Sequence, residues 1–293
     1  MDNSLFIGLV THAGSRFPES SGRQGLMAQL ADALRPMGWH VVCSTADRDE
    51  VDESTLNTDR SAVRASIVAE LDAEARWSYF QRGEAPDFST RLVLRIREAY
   101  RYWTYLRTRR RASTAGKRML LRLANIELSH MGLLRQGADS GAQWILIVED
   151  DAFTDDPHRL AEDLDTHLNR WHDSHQPKYV NISQSFPLSE LRLSSSLVDE
   201  GDWNASVRII SSTTPFTNTV CAILYRRQFL QELVREMDAI PLEPIVPIDW
   251  KLNIAIMNAS AAGMLGPSDC YTLDPAPIVQ GSMHPTSRPR SQG

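Results

Sequence analysis

The sequence predicts an α/β fold built on a mostly parallel sheet, and three observations predict it. Leu5 to Val10 and Trp144 to Val148 are unbroken apolar runs, the form a strand takes when both of its faces are covered. Between the first run and a second short strand, His40 to Ser44, lie a loop and a helical repeat, the β-loop-α-β order of a parallel sheet. The chain has 293 residues, 42% of them hydrophobic and 23% charged, enough to bury a large core in one sizeable α/β domain or two small ones.

The elements follow in order. Arg23 to Met37 carries Leu26, Leu30, Ala33 and Leu34 on one helical face, and Gly38 ends the run. Residues 60–115 form a helical insert, broken by Gly83 to Asp87, in which arginines alternate with aromatics, among them Arg91, Arg95, Tyr100, Arg101 and Trp103. The expected form is a solvated basic face with its aromatics packed inward. A nucleic-acid or membrane surface and a basic flap over a diphosphate are the alternatives. Lys117 to Leu134 is a helix whose Arg118, Arg122, Asn125 and Ser129 make one polar stripe.

Beyond the second apolar run, His158 to Trp171 is an amphipathic helix and Tyr179 to Ser183 a short strand. Ser194 to Trp203 reads as a polar loop, Val207 to Ile210 and the apolar Thr219 to Tyr225 as strands, and Arg227 to Met237 as a helix. A proline-rich connection, Pro241 to Pro247, delivers Asp249 to the start of a helix over Trp250 to Met257, and Cys270 to Gln280 is extended. Residues 1–284 are expected to form one domain, with a disordered tail over 285–293.

A net charge of −6 argues against a nucleic-acid partner, because phosphates need a positive surface, although a local basic pocket is still allowed. Cys43, Cys221 and Cys270 lie far apart and outside any zinc pattern, as expected of reduced thiols in a cytoplasmic protein. No segment approaches the roughly 18 apolar residues of a membrane span.

The sharpest feature is Glu149-Asp150-Asp151 at the end of the strand Trp144 to Val148. Three adjacent carboxylates repel one another and resist desolvation. A hard divalent cation with oxygen ligands would compensate them at the edge where α/β sheets bind ligands. The alternative is an acidic loop leaving the sheet for water.

Several motifs, taken in order, resemble glycosyltransferase family 25. Asn125-Ile126-Glu127-Leu128-Ser129-His130 precedes the strand ending Glu149-Asp150-Asp151-Ala152. Thr217-Asn218-Thr219 then leads into an apolar strand, followed by Pro247-Ile248-Asp249-Trp250 and a closing Pro277-Ile278-Val279-Gln280-Gly281-Ser282. The resemblance covers roughly residues 117–284, and each motif alone is weakly specific. The first strand departs from the family pattern, offering Val10-Thr11-His12-Ala13-Gly14-Ser15-Arg16, and the insert 60–115 is long.

The resemblance implies a GT-A fold, a single Rossmann-like sheet flanked by helices. It also implies metal-dependent transfer of a sugar, with inversion, from a nucleotide-sugar donor, a UDP-sugar by analogy, to an acceptor hydroxyl. The acceptor would be a glycan, a lipid-linked molecule or a small molecule. On this reading Asp151, Glu149 and His284 are the candidate ligands of Mn²⁺ or Mg²⁺, and Asp249 is the general base, its structural alternative being a helix N-cap. Thr11, Arg16, Arg23, Asp47, Arg122, Asn125, Ser129, Glu149 and Asp150 are candidates for holding the donor, with an ordinary surface group the equal alternative for each of Arg16, Arg23, Asp47, Arg122, Asn125 and Ser129. Asp150 has the alternative of capping the turn after its strand, and His130 that of a packing histidine.

Two other classes compete. An apolar strand ending in acids also opens phosphoryl-accepting receiver domains, but their second acidic strand is missing here: Tyr179-Val180-Asn181-Ile182-Ser183 carries no carboxylate. A catalytically silent nucleotide- or sugar-binding protein on the same fold would show the same acids, and turnover separates it from an enzyme.

Overall fold

A computed structural model describes residues 3–11, 25–47, 51, 56–82, 88–109, 115–173, 177–185, 187–190, 197–217 and 219–281. The two apolar runs lie side by side at its centre. β1 (Ser4–Thr11) pairs in parallel with β3 (Trp144–Glu149), so that Leu5 opposes Trp144 and Val10 opposes Glu149. On its other side β1 pairs in parallel with β2 (His40–Asp47), which brings Thr11 opposite Asp47.

Five more strands complete a sheet of eight: β5 (Tyr179–Asn181), β7 (Leu197–Asp202), β8 (Arg208–Ser212), β9 (Ala222–Arg226) and β10 (Cys270–Asp274). Their order is β2-β1-β3-β9-β5-β10-β8-β7. The expectation of a mostly parallel sheet is corrected here. Of the seven neighbouring pairs only β1–β2, β1–β3 and β5–β10 are parallel, because β9 and β8 run against the other six strands. An apolar run announces burial but not direction, and β9 enters between β3 and β5 reversed. The fold is α/β with a large mixed sheet flanked by helices, compatible with a Rossmann-like arrangement.

Burial on both faces explains the apolar runs. Trp144, Leu146 and Val148 join a core with Leu5, Ile7 and Leu9 beneath α1 (Leu26–Leu34) and α5 (Pro157–Asp173). Ile145 and Ile147 join the opposite core with Phe6 and Val10, beneath α4 (Ala115–Asp139), α6 (Arg227–Asp238) and α7 (Ile248–Ala261). α4 approaches the sheet closely because Gly137 offers no Cβ: one built there would stand 2.7 Å from Ile145 Cγ2. After α1 a short 3₁₀ turn, Arg35–Met37, ends at Gly38, whose φ of +93° is the left-handed conformation glycine tolerates.

A second sheet of three strands, β4 (Ala152–Phe153), β11 (Ile278–Gln280) and β6 (Ser183–Gln184), is small but well placed. β4 follows the acidic triplet directly and pairs with β11, and Gly281 N donates to Asp151 O at 2.5 Å. The closing segment is thereby held against the acids.

The insert is a pair of long helices, α2 (Arg60–Arg82) and α3 (Phe88–Arg109). Its orientation corrects the sequence reading: the large apolar residues of α3 do not all pack inward, since Phe88, Ile96, Tyr100 and Trp103 are exposed. The stretch Ser194 to Trp203, read as a polar loop, contains β7. As an edge strand, with all its residues exposed except the partly buried Gly201, it carries no apolar alternation to announce it. The expected tail at 285–293 lies outside the described residues.

Candidate functional site

Four pieces of chain meet where β1 and β3 end. The register sets Glu149 against Val10, and the next residue locks the turn: Asp150 N donates to Val10 O at 2.9 Å. Thr11 Oγ1 then donates to Asp150 Oδ2 at 3.0 Å, so the Asp150 carboxylate ties the two strand ends together. Asp150 and Asp151 are buried, while the Glu149 side chain keeps 17% of its surface open. A loop simply leaving the sheet would not bury two of its three acids.

The second piece is α4, whose close packing lays His130 over the end of β3. His130 Nε2 stands 3.0 Å from Glu149 Oε1, and the histidine side chain is only 3% exposed. The third is the start of β9. Antiparallel pairing places Ala222 against Val148, Glu149 N donates to Cys221 O at 2.8 Å, and Cys221 Sγ lies 3.8 Å from Asp151 Oδ1. Glu149, Asp151 and Cys221 each present one potential ligand atom, all within 4.8 Å of one another.

The fourth piece is the first turn of α7. The helix starts at Ile248, with Pro247 in the capping position and no side-chain cap, so Asp249 is not the N-cap. Its Oδ1 accepts instead from Val220 N at 3.2 Å, just before β9. Two residues further on, Lys251 Nζ is paired with Glu127 Oε1 on α4, both nearly fully buried. This ion pair joins the two helices that carry His130 and Asp249.

The electrostatics follow from crowding. Burial raises the pKa of Asp249, and the charge of Glu149 raises it further; His130 and the Val220 N–H oppose the shift. Asp249 is partly exposed as a residue, but its carboxyl is densely surrounded, and desolvation dominates. Burial also pushes the Cys221 thiol well above its ordinary range, helped by Glu149, Asp151 and Asp249. The Tyr225 hydroxyl is raised by burial and by Asp249. These couplings place Asp249, Glu149, His130 and Cys221 in one electrostatic neighbourhood.

Among known proteins no family model matches the chain, and no curated protein matches it significantly. What the arrangement can do must therefore be argued from its atoms.

The structure brings together Thr11, Glu149, Asp150, Asp151 and Asp249 from the sequence-derived candidates. Asp47 ends β2 in register with Thr11. Arg16, Arg23 and His284 lie outside the described residues. The polar stripe of α4 divides: Arg122 is exposed, Asn125 Oδ1 accepts from Val51 N at 2.8 Å, and Ser129 is buried with no hydrogen-bond partner for its hydroxyl among the described residues. Sequence reasoning gave no role to Glu127, Lys251 or Cys221, and His130 was left open as a packing residue. The available signal was spacing: Glu127 precedes His130 by three residues and Lys251 follows Asp249 by two.

A cleft of about 410 Å³ lies elsewhere, between α2 and α3, lined by Leu71, Arg76, Arg91, Arg95 and Glu98 among others. None of the acidic cluster's residues lines it.

Proposed function

We propose that the protein is a GT-A glycosyltransferase, similar to family 25, that moves a sugar from a nucleotide-sugar donor to an acceptor hydroxyl with inversion. One observation carries the reading: Asp249, its pKa raised by burial and by Glu149, is held by Val220 N beside Cys221, whose Sγ lies within 4.8 Å of ligand oxygens of Glu149 and Asp151. A base and a leaving-group site are the two things sugar transfer from a diphosphate requires side by side.

Glu149 and Asp151 offer the hard oxygen donors that suit Mn²⁺ or Mg²⁺, while the third group, the Cys221 thiol, is a soft donor whose pKa burial raises, so the two carboxylates would hold the ion. When bound there, such an ion supplies Lewis-acid stabilisation of the departing diphosphate. The chain's own groups do the rest. The acceptor oxygen bonds to the anomeric carbon as the bond from that carbon to the diphosphate oxygen breaks, and the acceptor proton passes to Asp249. With Oδ1 held by Val220 N, Oδ2 is the oxygen that takes the proton. His130 orients Glu149, and Thr11 with Asp150 keeps the strand ends in register. The acceptor, whether glycan, lipid-linked or small, and a UDP donor belong to the same proposal, as does a cytoplasmic location.

The experiment is a thermal-shift screen of nucleotides and nucleotide sugars, followed by turnover of those that bind, each with Mn²⁺ and with EDTA. Stabilisation and transfer that both require the metal support the reading. Equal stabilisation in EDTA counts against a metal-bridged site. Metal-dependent binding without turnover makes the protein a silent nucleotide-sugar binder.

A further inference from the structure

α3 is built inside out. Three of its charged groups face α2: Arg97 is bonded to Glu74 at 2.9 Å, Arg101 to Glu70 at 3.0 Å, and Glu98 to Arg64 at 2.9 Å, while Arg95, bonded to Glu98 within the helix, is 75% exposed. Arg64 also lies over the Tyr102 ring, 5.6 Å from its centre. On the opposite side Phe88, Leu92, Ile96, Tyr100 and Trp103 recur every three or four residues, the spacing of one helical stripe. All five are exposed, from 52% at Trp103 to 81% at Phe88. Large apolar groups are rarely left in water in a continuous row without something to cover them.

The charge distribution says what covers them. Residues 88–118 hold ten of the chain's 31 lysines and arginines but one of its 37 acids, in a protein whose net charge is −6. An RNA would satisfy the charge and stack on the aromatics but leave Leu92 and Ile96 in water. An anionic lipid surface answers both demands: its headgroups pair with Arg91 and Arg95, which are exposed one position before Leu92 and Ile96, and its acyl boundary takes the apolar stripe, with tyrosine and tryptophan at interfacial depth. Among the described residues no helix is long and apolar enough to cross a membrane, so the contact lies along the surface.

We propose that α3 is a membrane-docking helix, which lays its Phe88–Trp103 stripe into the interface of an anionic bilayer. The docking stands on the helix alone. That it brings the acidic site to a lipid-linked acceptor rests on the glycosyltransferase reading above.

The test is flotation of the purified full chain with phosphatidylcholine vesicles, with and without phosphatidylglycerol. Wild type should float with the anionic vesicles only, and less so as salt is raised. The variant Leu92→Ser/Ile96→Ser/Tyr100→Ser should lose binding by at least about tenfold while keeping its melting temperature, because these side chains are exposed. Arg91→Ala/Arg95→Ala should weaken it in the salt-sensitive part. Wild type that stays with the buffer, or binds neutral vesicles equally well, overturns the proposal. So does a variant whose only change is a shift from dimer to monomer in light scattering, or loss of RNA binding. Metal-dependent turnover of nucleotide sugar with a soluble acceptor is read on the same preparations, so either inference can fail while the other stands.

Discussion

His130 Nε2 lies 3.0 Å from Glu149 Oε1, joining a buried helix face to the end of the central strand. Glu149 is the most open of the three acids, so without that partner its carboxylate would be free to swing. A residue that orients a metal-binding carboxylate is commonly worth about 10- to 100-fold in metal affinity. On the proposed metal-binding reading, His130→Ala should therefore weaken Mn²⁺ binding by about that factor, while His130→Gln, which keeps a donor, should recover much of it. Titration calorimetry of both variants checks this. Equal Mn²⁺ affinity in wild type and His130→Ala would remove His130 from the site.

Asp249 poses a trade between stability and chemistry. Its pKa is raised by burial and by Glu149. A raised folded-state pKa means the folded protein holds the proton more tightly than the unfolded chain does. The stabilising contribution is complete below the ordinary aspartate value and is lost as pH rises through the raised one. At neutral pH the carboxylate is thus a liability that Asp249→Asn relieves, and the variant should melt higher than wild type there, with the difference shrinking towards acid pH. Transfer should fall by about 10²–10⁴-fold while nucleotide binding survives. If Asp249 is the proposed base, turnover of the wild type should decline as pH drops through the raised pKa, because a base must be unprotonated. A variant that melts lower at neutral pH and retains turnover contradicts both roles.

The boundary between what could and could not be read from sequence follows physical lines. β1 and β3 were legible because burial on both faces leaves mostly apolar residues at those positions, and the helical character of the insert was legible on both sides of 83–87, which lie outside the described residues. The direction of β9 was not, since hydrophobicity is blind to strand polarity. β7 was missed because an exposed edge needs no apolar face. In the site, adjacent acids were conspicuous in the chain. His130, Lys251 and Cys221 joined them only through long-range packing, across 19 residues between His130 and Glu149, 124 between Glu127 and Lys251, and 70 between Asp151 and Cys221. The inverted α3 was misjudged because periodicity identifies an apolar stripe without saying which way it turns.

Glu127 and Lys251 test the frame under the site. Burial raises the Glu127 pKa, and the ammonium of Lys251 opposes it without cancelling it, so desolvation is the larger effect. Removing one partner strands the other: Lys251→Met should cost about 3–5 kcal/mol in urea denaturation. Replacing both, Lys251→Met/Glu127→Leu, should recover most of that loss, because well-packed apolar groups often substitute for a buried pair. A double variant no more stable than Lys251→Met would show that the pair supplies something beyond mutual neutralisation.

Two glycines of α4 offer the sharpest check on how closely that helix rests on the sheet. Alanine is favoured over glycine in a helix by up to about 1 kcal/mol, and at Gly132 a new Cβ meets nothing within 4 Å. Gly132→Ala should be stabilising. At Gly137 the same methyl would come within 2.7 Å of Ile145 Cγ2 and 3.3 Å of Phe6 Cδ1. The Ile145 γ2 methyl is fixed by its own branch point on β3 and cannot rotate aside independently. Gly137→Ala should therefore be destabilising, by about 1–3 kcal/mol as is usual for overpacking. Because the two substitutions share one helix and one propensity gain, their opposite signs in denaturant melts isolate the contact. If both stabilise, α4 sits further from β3 than described, and the seating of His130 over Glu149 loses its support.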